Sequence, residues 1–177
     1  MEIQAHYSLL LGINSSWEIS SVDLLMDQQK VDIVVEYTAD QGVCPKCGTM
    51  RTKHDDRKAR SWRHLDTMQC STYLHCQLPR IRCQIHGAKT VDAPWAGEKS
   101  CFTLMFEAFA IRVLTIARSV EAARKLLGMN WHQVEAIKTR AVERGLKRRK
   151  AVNIPYVGID EKQFRSGHRY ISSLVDP

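Results

Sequence analysis

The chain has 177 residues, enough for one ordinary domain or for two or three small ones. Its 44% hydrophobic and 25% charged residues are the composition of a globular protein, and no apolar run reaches bilayer-spanning length. Met1-Glu2-Ile3-Gln4 lack the basic segment and apolar stretch of a secretory signal, so a cytoplasmic protein with no membrane role is expected.

The net charge of +7 points to an acidic partner without naming it. Its placement says more. From Arg112 to Lys150 there are eleven Lys or Arg against three Glu, a local +8, which leaves the rest of the chain close to neutral. Such a basic field is the usual footprint of phosphate-backbone binding, whereas a merely solvated helix face would intersperse both signs.

Residues 17–38 read as two strands around the polar turn Asp27-Gln28-Gln29-Lys30. After Cys44-Pro45-Lys46-Cys47-Gly48 and a basic, polar stretch from Arg51 to Arg60, further β-like pieces follow at Trp62–Leu65, Cys70–Leu78 and Ile81–Cys83. The first hundred residues are therefore expected to be mostly short antiparallel strands. From Ser100, a plausible N-cap, Phe102, Met105, Phe106, Phe109, Val113 and Ile116 recur at three- and four-residue steps, the pattern of a helix with a wide buried face. Two more helices lead to Lys147-Arg148-Arg149-Lys150. Val152–Asp160 then reads as a strand ending on a carboxylate, and a turn at Ser166-Gly167 leads to a second strand, Tyr170–Val175. An isolated hairpin of this kind is marginal in water, so it reads as the first edge of a larger domain.

Six cysteines without an export signal argue against a disulfide framework. Cys44-x-x-Cys47 and Cys83-x-x-His86 form two knuckles separated by thirty-five residues, each followed by a glycine, Gly48 and Gly87, where tight turns need a permissive backbone. Three thiolates and one imidazole make a closed tetrahedral site suited to structural zinc, with no open position for catalysis. The alternative, a redox CxxC, would need a helix-opening βαβ context that Pro45 and the flanking strands do not supply. Cys70, Cys76 and Cys101 are expected as buried, inert thiols. His6, His54, His64 and His75 are read as surface or core residues rather than ligands.

Ser119–Leu127 reads as a short helix capped by Ser119 and ended by Gly128, and Asn130-Trp131-His132-Gln133 opens a second one through an N-x-x-Q capping box. The apolar face of the second helix is Val134, Ile137 and Ala141. Helix, glycine turn and helix in this order match the helix-turn-helix, whose second helix lies in the DNA major groove. On the opposite face His132, Ala136 and Thr139, flanked by Gln133 and Arg140, are expected to reach base edges. Arg124, Lys125, Arg144, Lys147, Arg148, Arg149 and Lys150 are expected on phosphates, which position without reading sequence. An ordinary helical hairpin is the competing reading; it leaves the local charge unexplained.

These modules, in this order, resemble the DDE-type transposases of bacterial insertion sequences in the family written ISL-three. The resemblance rests on Cys44-Pro45-Lys46-Cys47-Gly48, Arg80-Ile81-Arg82-Cys83, Ala93-Pro94-Trp95-Ala96, the helix-turn-helix at 119–144, and Gly158-Ile159-Asp160-Glu161 with Phe164-Arg165 and Gly167-His168-Arg169-Tyr170. His86 departs from the many relatives that close the ribbon with cysteine, and zinc accepts either.

The resemblance implies an α+β multidomain chain. Its parts are a mostly-β zinc ribbon over residues 1–98, a helical helix-turn-helix domain over 99–148, and over 149–177 the first β-hairpin of a truncated RNase H-like domain. It implies that Asp160 is the first of three catalytic carboxylates. A full catalytic domain would hold two Mg²⁺ ions with all three, whereas Glu161 and Asp176 do not match the two missing positions. The partner implied is double-stranded DNA, the terminal inverted repeats of the element, in a bacterial, nucleoid-associated protein, with room for a homodimer. Two functions stand together at this point: the front part of a transposase, catalytically incomplete as given, or a stand-alone zinc-dependent DNA-binding regulator. A complete nuclease is disfavoured by the missing carboxylates.

Overall fold

The structure is a computed structural model that describes residues 3–13, 15–150, 157–165 and 169–175. Packing divides it into two compact units, Met1–Lys138 and Thr139–Pro177.

The first unit opens with a helix the strand pattern does not announce, α1 (Ile3–Leu11), which buries only Tyr7 and Leu11. Strands β1 (Trp17–Leu25) and β2 (Lys30–Tyr37) pair antiparallel across a short 3-10 turn at Met26–Gln28. The connection is completed by Gln29 at φ 48°. A second sheet follows from β3 (Gln41–Val43) and β4 (Met50–Asp56), so a strand occupies most of the stretch expected to be merely polar. Then come β5 (Arg60–Arg63), β6 (Ser71–Cys76), β7 (Pro79–Cys83) and β8 (Gly87–Thr90).

The sheets have orders β1-β2-β6-β5 and β3-β4-β7-β8. One pairing departs from the antiparallel expectation: β6 runs parallel to β2, from Lys30 opposite Ser71 to Val35 opposite Cys76. The chain leaves β2 to build β3 and β4 before it returns through β5, and a return over that distance need not reverse direction. On the outer face, Ser61 Oγ and His75 Nδ1 lie 2.8 Å apart, and His75 Nε2 meets Asp32 Oδ1 at 2.6 Å. Lys30 donates to the second Asp32 oxygen at 2.7 Å. Burial opposes ionisation of Asp32, but the Lys30 and His75 hydrogen bonds outweigh it and hold the carboxyl below its ordinary range.

Both sheets feed one core. Ile33, Val35, Leu74 and Trp62 come from the first; Ile81, Cys44, Cys83 and Val91 come from the second and its flanks. Trp95, from the Ala93–Ala96 motif, meets Trp17 and Trp62 edge-on, with ring centroids 5.0 and 5.7 Å apart. Edge-to-face pairs of this kind add to the large area each ring buries. Cys70 and Cys76 are buried as expected, and burial pushes the Cys76 thiol up to about 12. Cys101 is exposed instead, in the loop between the sheets and the helices.

The helical part comprises α2 (Leu104–Ile116), α3 (Val120–Leu126) and α4 (Trp131–Arg148). Thr103, not Ser100, caps α2, accepting the Phe106 N–H at 3.2 Å. Ser100 is itself buried and donates to Glu107 Oε1 at 2.7 Å, so the chain is still turning where the periodicity begins. The stripe facing the core is Phe106, Glu107 and Ala110, whereas Met105, Phe109 and Ile116 are 42, 45 and 80% exposed. The run contains two apolar stripes at helical spacing, and only the one carrying the small Ala110 is packed.

The second unit holds the end of α4 and the antiparallel pair β9 (Gly158–Arg165) and β10 (Arg169–Val175). Asp160 lies inside β9, opposite Ser173, not at a strand end, because pairing continues to Arg165. The expected turn at Ser166-Gly167, the start of the preceding strand from Val152, and Asp176 lie outside the described residues.

Gly42 tests the packing on the second sheet. A Cβ there would meet Val91 Cγ2 at 2.6 Å and Ile81 Cγ2 at 3.0 Å. Gly42→Ala is therefore expected to destabilise the first unit by about 1–3 kcal/mol in urea denaturation, as overpacking does. An unchanged midpoint would show that these side chains yield freely.

Candidate metal centre and nucleic-acid interface

The β3–β4 and β7–β8 hairpins each end in a knuckle. In the first, Gly48 N–H donates to Cys44 O and Cys44 N–H to Thr49 O, both at 2.9 Å. Gly48 and Gly87 stand at φ 70° and 67°, the left-handed region their sequence positions require. The two turns bring Cys44, Cys47, Cys83 and His86 together, one donor atom from each and all within 4.8 Å of one another. Cys47 Sγ lies 3.7 Å from Cys83 Sγ, and His86 Nδ1 lies 3.6 Å from Cys83 Sγ and 3.9 Å from Cys44 Sγ. A tetrahedron with bonds of about 2.1–2.3 Å has edges of about 3.4–3.8 Å, so the donor set and spacing both fit zinc.

The peptide around the cluster favours thiolate. Backbone N–H groups of His86 and Ile85 hold the Cys83 thiol down to about 6. The Thr49 hydroxyl and N–H lower that of Cys47, while the hydrogen bond with Cys83 raises His86. Cys44 and Cys83 are buried and Cys47 is exposed at the rim.

The helical segment is assembled by its caps. Ser119 Oγ accepts the Ala122 N–H at 3.1 Å to open α3, and Gly128 at φ 62° closes it. Asn130 Oδ1 accepts the Gln133 N–H and Gln133 Oε1 accepts the Asn130 N–H, both at 2.9 Å: the capping box read in the sequence. Val134 and Ile137 are fully buried against Phe102, Phe106, Ala110, Leu127 and Met129. Ala141 is half-buried.

Of the residues expected to meet DNA, His132, Thr139, Lys125, Lys147, Arg148, Arg149 and Lys150 are exposed, and Ala136, Arg140 and Arg144 are half-buried. Two have structural duties as well, that of Gln133 read in the capping box and that of Arg124 missed by sequence reasoning. Arg124 forks onto Glu121 at 2.8 and 2.7 Å and donates to Met129 O at 2.9 Å, bracing the turn. The bond from Arg124 holds Glu121 down to about 2. Gln133 spends its carbonyl on the cap. Asp160 and Glu161 are exposed on β9.

A sheet-rich ribbon with a Cys₃His cluster, followed by a capped helix-turn-helix on a basic segment, defines a zinc-ribbon DNA-binding protein. Residues 40–86 match the zinc-finger of transposase IS204/IS1001/IS1096/IS1165, and residues 91–142 match the helix-turn-helix domain of transposase family ISL3. The chain thus carries the zinc-ribbon and helix-turn-helix domains of the ISL3 transposase family. It is 29% identical over 177 residues to the transposase for insertion sequence element IS1557 of Mycobacterium tuberculosis, with 96% of this chain and 40% of that protein covered. It is 25% identical over 148 residues to the transposase for insertion sequence element IS1001 of Bordetella parapertussis, covering 83% of this chain and 36% of that protein. The chain thus spans about two fifths of the length of these relatives. No solved structure matches it significantly.

The expected metal content is about one zinc per chain, lost in Cys83→Ala. Zinc binds the thiolate, so acid competes with the metal for Cys44, Cys47 and Cys83. Acidification should therefore release zinc, as read by a chromogenic zinc indicator; a metal content independent of pH would contradict thiolate ligation.

Proposed function

We propose that the chain is the DNA-binding front part of an insertion-sequence transposase, which recognises the terminal inverted repeats of its element. The observation that carries this reading is the α3–Gly128–α4 unit, reciprocally capped and embedded in a segment of net +8. In it, Cys44, Cys47, Cys83 and His86 hold a structural zinc, which would tie two hairpins and take no part in chemistry. The functional divisions are 1–98, 99–148 and 149–177. His132, Ala136, Thr139 and Arg140 read bases, while Lys125, Arg144 and Lys147 to Lys150 hold phosphates. Asp160 is the first carboxylate of an RNase H-like, Mg²⁺-dependent catalytic domain, and residues 1–177 alone do not assemble that site.

Two classes of substitution should separate on an inverted-repeat duplex and a scrambled one. Removing His132 and Thr139 side chains is expected to reduce the cognate preference, at about 1–3 kcal/mol for each base-edge interaction removed. Replacing Lys147, Arg148, Arg149 and Lys150 by Ala should weaken both duplexes alike and reduce the salt slope by about one unit for each phosphate no longer neutralised. An unchanged cognate-to-scrambled ratio in the first class would refute the base-reading face.

The chain alone is expected to cut no DNA with Mg²⁺ or Mn²⁺. Cleavage that copurifies with it and disappears in Asp160→Ala would overturn the claim of catalytic incompleteness.

A further inference from the structure

The four tryptophans divide sharply. Trp17, Trp62 and Trp95 are 6, 1 and 3% exposed, whereas Trp131, the first residue of α4, is 54% exposed. An indole carries about 150–250 Å² of mostly apolar surface, and leaving half of it in water forgoes stabilisation that the other three obtain. Nothing local requires an aromatic ring there. The capping box uses Asn130 and Gln133, and the core contacts of α4 are made by Val134 and Ile137. Its chain neighbours Asn130 and His132 are exposed as well.

We propose that Trp131 reads DNA by packing its indole against the 5-methyl group of thymine in the major groove. The inference deepens, and rests on, the reading of α3 and α4 as a DNA-bound helix-turn-helix. In that docking the N-terminal residues of the second helix approach base edges, and Trp131 is the first of them. The thymine methyl is the apolar group that major-groove edges present, so an apolar ring at this position has one fitting partner there. Charge selects the same occupant. Residues 112–150 carry a net +8, which attracts a polyanion and repels a second copy of the same face.

Because Trp131 is the exposed member of the four, it is its own probe. A duplex would first be selected from a randomised library by the 177-residue chain, then remade with deoxyuridine in place of thymidine. Acrylamide quenching of the intrinsic fluorescence is expected to show one accessible component, absent in Trp131→Ala, which becomes shielded when the duplex saturates the protein. Replacing thymidine by deoxyuridine should weaken wild-type binding about fourfold for one methyl buried. It should leave Trp131→Ala unchanged, with Trp131→Phe retaining most of the sensitivity. Equal weakening in wild type and Trp131→Ala, or a ring still quenched in the complex, would overturn the assignment while leaving DNA binding intact. Shielding that appears with rising protein concentration and no DNA would assign the ring to self-association, against the proposal. Failure of the library to yield any bound duplex would remove the helix-turn-helix reading and this inference with it.

Discussion

Four lone-pair donors from two turns thirty-five residues apart converge within 4.8 Å, and the ribbon depends on that convergence. Three thiolates so close repel one another unless a cation lies among them, and a zinc ribbon supplies the cation that fits. The β3–β4 and β7–β8 hairpins bring few apolar side chains of their own. β4 alternates between exposed and half-buried positions and buries no residue fully. What the second sheet contributes to the interior is Pro79, Ile81, Cys83, Cys44 and Val91, and two of these are ligand positions. Metal binding and core formation are therefore one event in this half of the unit.

The first sheet then positions the helices through polar contacts, several of them buried. Arg63 N–H donates to Cys101 O at 2.9 Å and Thr103 N–H to Arg63 O at 3.0 Å, adding a strand-like bridge at Phe102 to the edge of β5. Thr103 Oγ1 accepts from the Phe106 N–H and lies 2.9 Å from His64 Nδ1, so the hydroxyl can give its proton to the imidazole. Burial, aided by the Arg63 charge, lowers His64 to about 4, which keeps the ring neutral and able to accept. Arg60 donates to Ser100 O at 2.5 Å, and Ser100 passes a bond to the buried Glu107 on α2. Such a satisfied network specifies one arrangement better than greasy contact would, because any other leaves buried polar groups unpaired.

How much of this is legible in the sequence follows from how local each signal is. The knuckles, both caps and the Gly128 stop depend on residues within four positions of each other, and all are readable. The Cys₃His grouping is readable too, because ligand chemistry leaves few alternatives. The parallel β2–β6 pairing is not, since no local pattern encodes the direction of a strand that returns after thirty-odd residues. Helix α2 is evident in the periodicity but its buried face is not: two apolar stripes compete over Phe102–Ile116, and only tertiary packing chooses the one with Ala110. Helix α1 gives no signal because Ile3–Leu11 buries just two side chains and so imposes little periodicity. Cys101 misleads for a related reason, since apolar neighbours in sequence do not bury a residue in an irregular connection.

The helix-turn-helix shows the same residues under two demands. A recognition helix needs polar side chains at its N-terminus to meet bases, and its first turn needs polar side chains to satisfy free N–H groups. Here Asn130 and Gln133 are committed to the second demand, and Arg124 is committed to the turn through Glu121 and Met129. These commitments make the entry to α4 rigid, which lowers the entropy cost of docking. They also occupy the Gln133 carbonyl and the Arg124 guanidinium, which composition alone would offer to a base and to a phosphate. What projects from that entry without a structural duty is Trp131 and His132. If α4 reads DNA as proposed, discrimination at this end of the helix draws on an apolar ring and an imidazole, and the sites preferred should be those that reward shape and methyl contact over paired amide hydrogen bonds.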